Sequence, residues 1–462
     1  MDETLILERP RGASPSLRIP ARRRPFRYER STDVVLALAG LGFGATIALA
    51  VTSESWSALN APGGWLTAGG RMAGLLGTYL MLIVVLLAGR VPLVERTLGQ
   101  DVLMRWHRRL APWTLVLIAA HGVLITLGYA RSARSGALHQ FGQLLSTYPG
   151  ILTATVGFLL LVTAAVTSAR IAKRHMRYET WWAVHLYTYL ALALSFSHQL
   201  ATGVMFVGHP LARVFWTALF IGTAGVVLAY RILLPLWRST FHQLRVAAVW
   251  PEAPGVVSVL LEGRRLLLMP IAGGQFIQLR ILRRGLWWQA HPYSVSALPD
   301  GRHLRITVKD LGDHSGALAQ LAVGTRVAIE GPYGAFTADA RHGDRVLMIG
   351  AGVGVTPLRA MLEDLPLHVD TVLLARAHDE HSLVLRDELR ALIRQRGGRL
   401  HELLGARRQT QISVRSLAER VPDIAERDVF ICGPTGFTAS VLRAVRALGV
   451  PAERIHHEAF AF

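Results

Sequence analysis

Cysteine is almost absent. Cys432 stands alone among 462 residues, which excludes an intrachain disulfide and any metal cage built from thiolates. Lysine is nearly as scarce: Lys173 and Lys309 are the only two, so arginine carries almost all of the formal net charge of +19. That charge is not gathered on one stripe, and no nucleic-acid partner is expected from it. Residues 1–31 lack an apolar core, so no cleavable secretory signal is expected there. Residues 1–32 read instead as a basic cytoplasmic tail.

Long apolar runs fill the first half of the chain, and the second half has the composition of a water-soluble α/β protein. A bilayer core requires about 20 mostly apolar residues in a helix. Six stretches qualify: Val34–Thr52, Ala68–Ala88, Leu110–Ala130, Ile151–Ser168, Trp181–Leu200 and Val214–Leu236. Basic residues mark one side. Arg22, Arg23, Arg24 and Arg27 precede the first span, and Arg90, Arg96, Arg105, Arg108 and Arg109 join the second to the third. Arg170, Lys173, Arg174 and Arg177 join the fourth to the fifth, whereas the alternate loops carry none, two and one. The excess of positive charge predicts that the tail, these loops and the C-terminal half face the cytoplasm, in a multi-pass cell (inner) membrane protein.

Span three carries His107 and His121, 14 positions apart, and span five carries His185 and His198, 13 apart. On a helix these separations advance about 20 Å and bring both rings of each pair to roughly one face. The two spans run in the same direction, so His107 is expected level with His185, and His121 with His198. Each level would clamp one flat ligand from both sides, and a metalloporphyrin with two axial imidazoles fits that demand. A helix bundle that merely satisfies its histidines is the plainer alternative, and His139, His175 and His209 in loops keep it. Arg71, near the outer depth of span two, needs a partner inside a membrane. A haem propionate and the outer headgroups are the two candidates.

After Leu236, short alternating strands such as Val256–Leu261, Phe276–Ile281 and Leu304–Val308 predict a small antiparallel barrel. It contains His291-Pro292-Tyr293-Ser294, the turn Gly312-Asp313-His314-Ser315-Gly316 and Gly331-Pro332-Tyr333-Gly334. Tyr293 offers a flat face for an isoalloxazine, Ser294 a hydroxyl for a ring nitrogen, and the Gly312–Gly316 turn amides for pyrophosphate. From Arg345 strands and helices alternate. The strand Arg345–Ile349 runs into Gly350-Ala351-Gly352-Val353-Gly354-Val355-Thr356-Pro357 and a helix, a turn suited to dinucleotide phosphate. Strands near Thr371–Ala375 and Asp428–Cys432 follow, the latter ending in Cys432-Gly433-Pro434. Arg376 could meet the 2′-phosphate of NADPH, although Asp379 and Glu380 lie close and an acid there would favour NADH.

Taken in order from residue 33 to the end, these motifs resemble the ferric reductase and NADPH oxidase superfamily. The resemblance implies a di-haem membrane domain at 33–237, an FAD barrel at 238–340 and a ferredoxin-reductase-type NAD(P) domain at 341–462. His107 and His185 would hold the inner haem b, and His121 and His198 the outer. His291, Pro292, Tyr293 and Ser294 would bind FAD, with Gly312, Ser315 and Gly316 at its pyrophosphate. Gly350, Gly352, Gly354, Thr356 and Pro357 would take the nicotinamide dinucleotide. Cys432, with Gly433 and Pro434, would flank the reacting nicotinamide, and the terminal Phe462 would cover the flavin until nicotinamide displaces it. Ser294, Cys432 and Phe462 would thus surround the hydride-transfer centre.

The implied activity moves electrons from NAD(P)H through FAD and two haems to an extracytoplasmic acceptor, a ferric chelate or dioxygen. One departure bears on the acceptor. Animal NADPH oxidases carry a further histidine one turn beyond the outer ligand of span three, where this chain has Ile125. A superoxide-forming oxidase and a quinone-linked electron relay are the rival readings.

Overall fold

The computed structural model describes residues 28–169, 176, 178–406 and 412–460, in two compact units divided at Ile232/Leu233. Arg22–Arg27, the basic residues between 170 and 177, and Phe462 lie outside the described residues.

The first unit is helical. Its long helices are α1 (Tyr28–Thr52), α2 (Gly64–Leu87), α3 (Gln100–Ser132), α4 (Ile151–Ser168), α5 (Tyr178–Thr202) and α6 (Pro210–Leu228). Their outer surfaces are apolar: Leu41, Leu159, Val214 and Ile221 are all well exposed, an arrangement that water penalises and lipid does not. Among the described residues five helices are long and apolar enough to cross a membrane: those within Asp33–Thr52, Gly64–Leu87, Val102–Ser132, Ile151–Ser168 and Pro210–His242. All six expected spans fall on helices, and the fifth, α5, is the one that lies below this apolar level. The exception, α5, has 25 residues, yet His185, His198, Gln199 and a run of Thr, Ser, Tyr and Trp dilute its apolar content. Inside the bundle, Leu75, Leu82, Leu192, Phe206 and Trp216 form the packed centre.

The second unit combines two sheets. Strands β1 (Arg245–Ala253), β2 (Val256–Glu262), β3 (Phe276–Ile281), β4 (His291–Ala297), β5 (His303–Lys309) and β6 (Val327–Tyr333) form an antiparallel sheet ordered β1-β2-β5-β4-β3-β6. Its edges meet: Arg245 bridges Arg326, and the Val327 amide donates to the Leu244 carbonyl at 3.1 Å. The sheet is thereby a closed barrel, which removes exposed strand edges. Alternating Val, Leu and Ile, among them Ile277, Leu279, Ile281, Val295 and Ile306, point into it and are fully buried.

The other sheet is parallel, ordered β11-β10-β7-β8-β9, from β7 (Arg345–Ala351), β8 (Asp370–Ala377), β9 (Arg399–Leu404), β10 (Asp428–Pro434) and β11 (Ile455–Phe460). Both faces are covered. Along β7, Val346 and Met348 join one core, while Leu347 and Ile349 join the other. This is the near-continuous apolar strand that a doubly covered sheet demands.

Candidate functional site

The α3 and α5 histidines meet in the expected partnership. The ring centres of His107 and His185 are 6.2 Å apart, and those of His121 and His198 are 6.3 Å apart. An imidazole nitrogen binds a metal at about 2.0–2.1 Å and lies about 1.1 Å from its ring centre, so two imidazoles on opposite sides of one ion have centres roughly 6.3 Å apart. The tautomers suit ligation as well. His107 Nδ1 lies 2.9 Å from the Val84 carbonyl oxygen, and His121 Nδ1 2.8 Å from that of Gly70. A carbonyl only accepts, so both Nδ1 atoms carry the proton and Nε2 keeps the lone pair that a metal requires. His185 Nδ1 is 3.3 Å from the Ser168 hydroxyl, which also accepts from Trp181.

Around the outer pair lies a cavity of about 590 Å³, walled by His121, His198, Ile118, Phe158, Leu161 and Arg71 among others. Its size is that of a cofactor pocket. Gly74 keeps it open, because a Cβ there would stand 2.6 Å from His121 Nδ1. Arg71 reaches the cavity wall, but its guanidinium is bound to both carboxylate oxygens of Glu54, at 2.9 and 3.0 Å. Glu54 is a partner that the sequence reading missed. Gly70 and Gly74, four apart in span two, were a small-residue signal of close helix packing.

In the barrel, His291, Pro292, Tyr293 and Ser294 open β4. Pro292 is exposed, His291 and Tyr293 are half-buried, and Tyr293 rests on the barrel core. Burial pushes its phenol well above the ordinary range, so it stays neutral. Three hydroxyls cross the neighbouring strands in a chain, Ser258 to Thr307 at 2.8 Å and Thr307 to Ser296 at 2.9 Å. Ser294 lies two residues before Ser296; its hydroxyl is buried and has no hydrogen-bond partner. A buried orphan hydroxyl costs stability unless a ligand completes it. The residues present therefore fit a flavin with a polar ring edge.

The Gly312 turn is more self-sufficient than expected. The Leu311 amide donates to Ser315 Oγ, the Gly312 amide to Asp310 Oδ1, and the Gly316 amide to the Gly312 carbonyl. Three of its donors are thus satisfied internally, which narrows the amides it can offer to pyrophosphate.

The glycine-rich turn sits where β7 ends. Gly350 closes the strand, Gly352 (φ 55) and Gly354 form a single 3-10 turn, and Thr356 and Pro357 are buried in the first turn of helix α8 (Val355–Asp364). Gly354 is obligatory there, since a Cβ would stand 2.4 Å from the Cys432 carbonyl oxygen. Thr356 Oγ1 donates to the Val353 carbonyl at 2.7 Å. Arg376 pairs in register with Ala351, beside the turn, and donates to the Gly405 carbonyl at 3.3 Å. The competing acids are engaged: Glu380 with Arg386 at 2.8 Å, and Asp379 with the Ser382 amide and hydroxyl. Cys432 lies opposite Gly350 on β10, fully buried, and burial pushes its thiol well above the usual range. Gly433 and Pro434 lead from it into helix α9 (Thr435–Ala447).

Barrel and parallel sheet are joined by a buried ion network that sequence spacing does not announce. Glu388 receives Arg305 of β5 through two contacts of 2.7 Å and pairs with Arg359 of α8 at 2.7 Å. Arg359 also donates to the Ser296 carbonyl at 3.1 Å, next to the orphan hydroxyl's strand position.

Three families match consecutive stretches: a ferric reductase like transmembrane component at residues 73–196, an FAD-binding domain at 256–337 and an oxidoreductase NAD-binding domain at 348–443. By this architecture the chain belongs to the ferric reductase/NADPH oxidase superfamily. This ferric reductase-like chain is a membrane-associated oxidoreductase with FAD and NAD-binding domains. Curated relatives include the stachydrine N-demethylase reductase subunit of Rhizobium meliloti, 31% identical over 49% of this chain and 68% of that one. Another is the "Probable metalloreductase AIM14" of Yarrowia lipolytica, 29% identical over 60% of this chain and 48% of that one. The chain spans between 48 and 68% of the length of eight curated relatives that it matches. Among solved structures, the FAD/NAD-binding domain of a Vibrio cholerae nitric oxide dioxygenase is 27% identical, covering 47% of this chain and 98% of that one with a TM-score of 0.42.

Proposed function

We propose that the chain is a transmembrane reductase that takes electrons from cytoplasmic NAD(P)H, by way of FAD and two b-type haems, to an extracytoplasmic acceptor, foremost a ferric chelate. One observation carries this reading: two facing imidazole pairs, at two depths of one helix pair, each spaced as two axial ligands of a single metal. When bound, FAD supplies hydride acceptance and the haems supply single-electron transport.

The chain's own residues supply position. His107 with His185, and His121 with His198, would hold the haems, and the α2 carbonyls of Val84 and Gly70 fix two of the four rings. With two imidazoles at each level, the chain would offer a bound haem no open coordination site, so an acceptor would receive electrons without bonding to the iron. Arg71 lines the outer cavity wall and would be the partner of a propionate, in competition with the Glu54 carboxylate that holds it. On the cytoplasmic side, Ser294 completes its hydrogen bonding with the flavin ring, and Tyr293 and Pro292 frame it. The Gly350–Gly354 turn receives pyrophosphate, Arg376 the 2′-phosphate of NADPH, and the buried Cys432 walls the nicotinamide.

Steady-state NADPH oxidation by the purified, haem-loaded protein, with ferric chelate or dioxygen as sole acceptor, tests the proposal. Faster turnover on the chelate, with a low-spin bis-imidazole spectrum and two haems per chain, is expected. Turnover that needs dioxygen and yields superoxide instead makes the protein an oxidase. A high-spin spectrum removes the ligand assignment.

A further inference from the structure

We propose that His342, Asp428 and His456 form a binding site for a divalent transition-metal cation of the zinc type. The site lies far along the parallel sheet from the nucleotide turn. Asp428 opens β10, whereas the glycine-rich turn follows the end of its parallel neighbour β7. It belongs to no part of the electron path described above.

The three donor atoms lie within 4.8 Å of one another. His342 Nδ1 is 3.3 Å from Asp428 Oδ1, and His456 Nε2 is 3.6 Å from the same oxygen. Both separations exceed the roughly 2.7–2.9 Å of a charge-assisted hydrogen bond. Ligands about 2.0–2.1 Å from a shared tetrahedral ion stand about 3.3–3.4 Å apart, the separation found for His342, and His456 needs to move in by only a few tenths of an ångström. The other carboxylate oxygen, Oδ2, accepts the backbone amides of His342 at 3.0 Å and Gly343 at 2.9 Å. Those two bonds turn Oδ1 toward the imidazoles, which is the supporting role an outer set of hydrogen bonds plays in metal sites.

The histidines are placed rather than loose. The His456 ring stacks on Phe430 at 4.6 Å, which fixes its place at the edge of the sheet. His456 Nε2 is buried without a hydrogen-bond partner, so a cation would complete it. The neighbouring positive charge is already matched, since Arg427 pairs with Asp370 and Asp423. His342 is half exposed and gives the ion its way in. Two imidazoles and one carboxylate leave a fourth position for water. The ligands come from the loop before β7, from β10 and from β11, so only the folded sheet assembles them. A bound cation therefore ties the last strand to the first.

The test is calorimetric titration of ZnCl₂ into the full-length, cofactor-loaded protein after chelator treatment, alongside His342→Gln and the double variant His342→Gln/His456→Gln. Other histidines also attract zinc, so the readout is the difference between proteins. The wild type is expected to bind one more equivalent than the double variant, and His342→Gln to weaken that equivalent at least about tenfold. Flavin reduction by NADPH checks folding and is expected to be the same in all three. His342→Gln alters a half-exposed side chain and keeps the test valid where the double variant fails to fold. Equal stoichiometry and affinity in wild type and His342→Gln overturn the site.

Discussion

The buried Ser294 hydroxyl, two residues before the end of the Ser258–Thr307–Ser296 row, has no hydrogen-bond partner among the described residues. If the flavin completes that bond, Ser294→Ala removes one interaction and leaves the fold intact. Flavin bleaching by NADPH is expected to slow about tenfold in stopped-flow measurements, the effect of about 1.4 kcal/mol, with FAD content unchanged. The motif made Ser294 legible in the sequence. Its missing partner was not, because that depends on which hydroxyls of β2 and β5 fall beside β4. Cys432 shows the opposite case. The family resemblance implies a place for it beside the nicotinamide, but only the structure reveals a thiol fully enclosed and held protonated by burial. Iodoacetamide at pH 8 is expected to leave the native protein unmodified and to label it once after denaturation, as read by intact mass.

At the scale of the helix, α2 matters although it donates no ligand. Its Val84 and Gly70 carbonyls anchor the two α3 imidazoles, and Gly74 leaves space for one of them. Gly74→Ala would set a methyl group 2.6 Å from His121 Nδ1 and push the ring away. The expected outcome is loss of the outer haem and retention of the inner, a fall from two to one haem per chain in a pyridine haemochrome assay. The facing of the two histidine pairs could be read from spacing, since 14 and 13 positions are properties of a linear chain and one helical pitch. The supporting helix could not, because which carbonyl meets which imidazole is set by packing between helices. The polarity of α5 misled in another way: residues that serve the histidine sites also lower its resemblance to a lipid-facing segment.

For the molecule as a whole, the division into helical bundle, barrel and parallel sheet was visible in the change of apolar period from long runs to alternation to doubly covered strands. The joint between barrel and sheet was invisible, because Arg305 and Glu388 are 83 residues apart. Glu388→Ala would leave the Arg305 and Arg359 guanidinium groups buried without their shared carboxylate. A loss of about 3–5 kcal/mol is expected, measured by denaturant unfolding of the purified protein. Enclosure of the single cysteine has a further consequence for a protein that handles electrons near dioxygen. Peroxide attacks thiolates, and this chain exposes none among its described residues. Its turnover is therefore expected to withstand millimolar-range oxidant without forming a sulfenic acid. Any redox feedback on this electron path must then act through another chemistry.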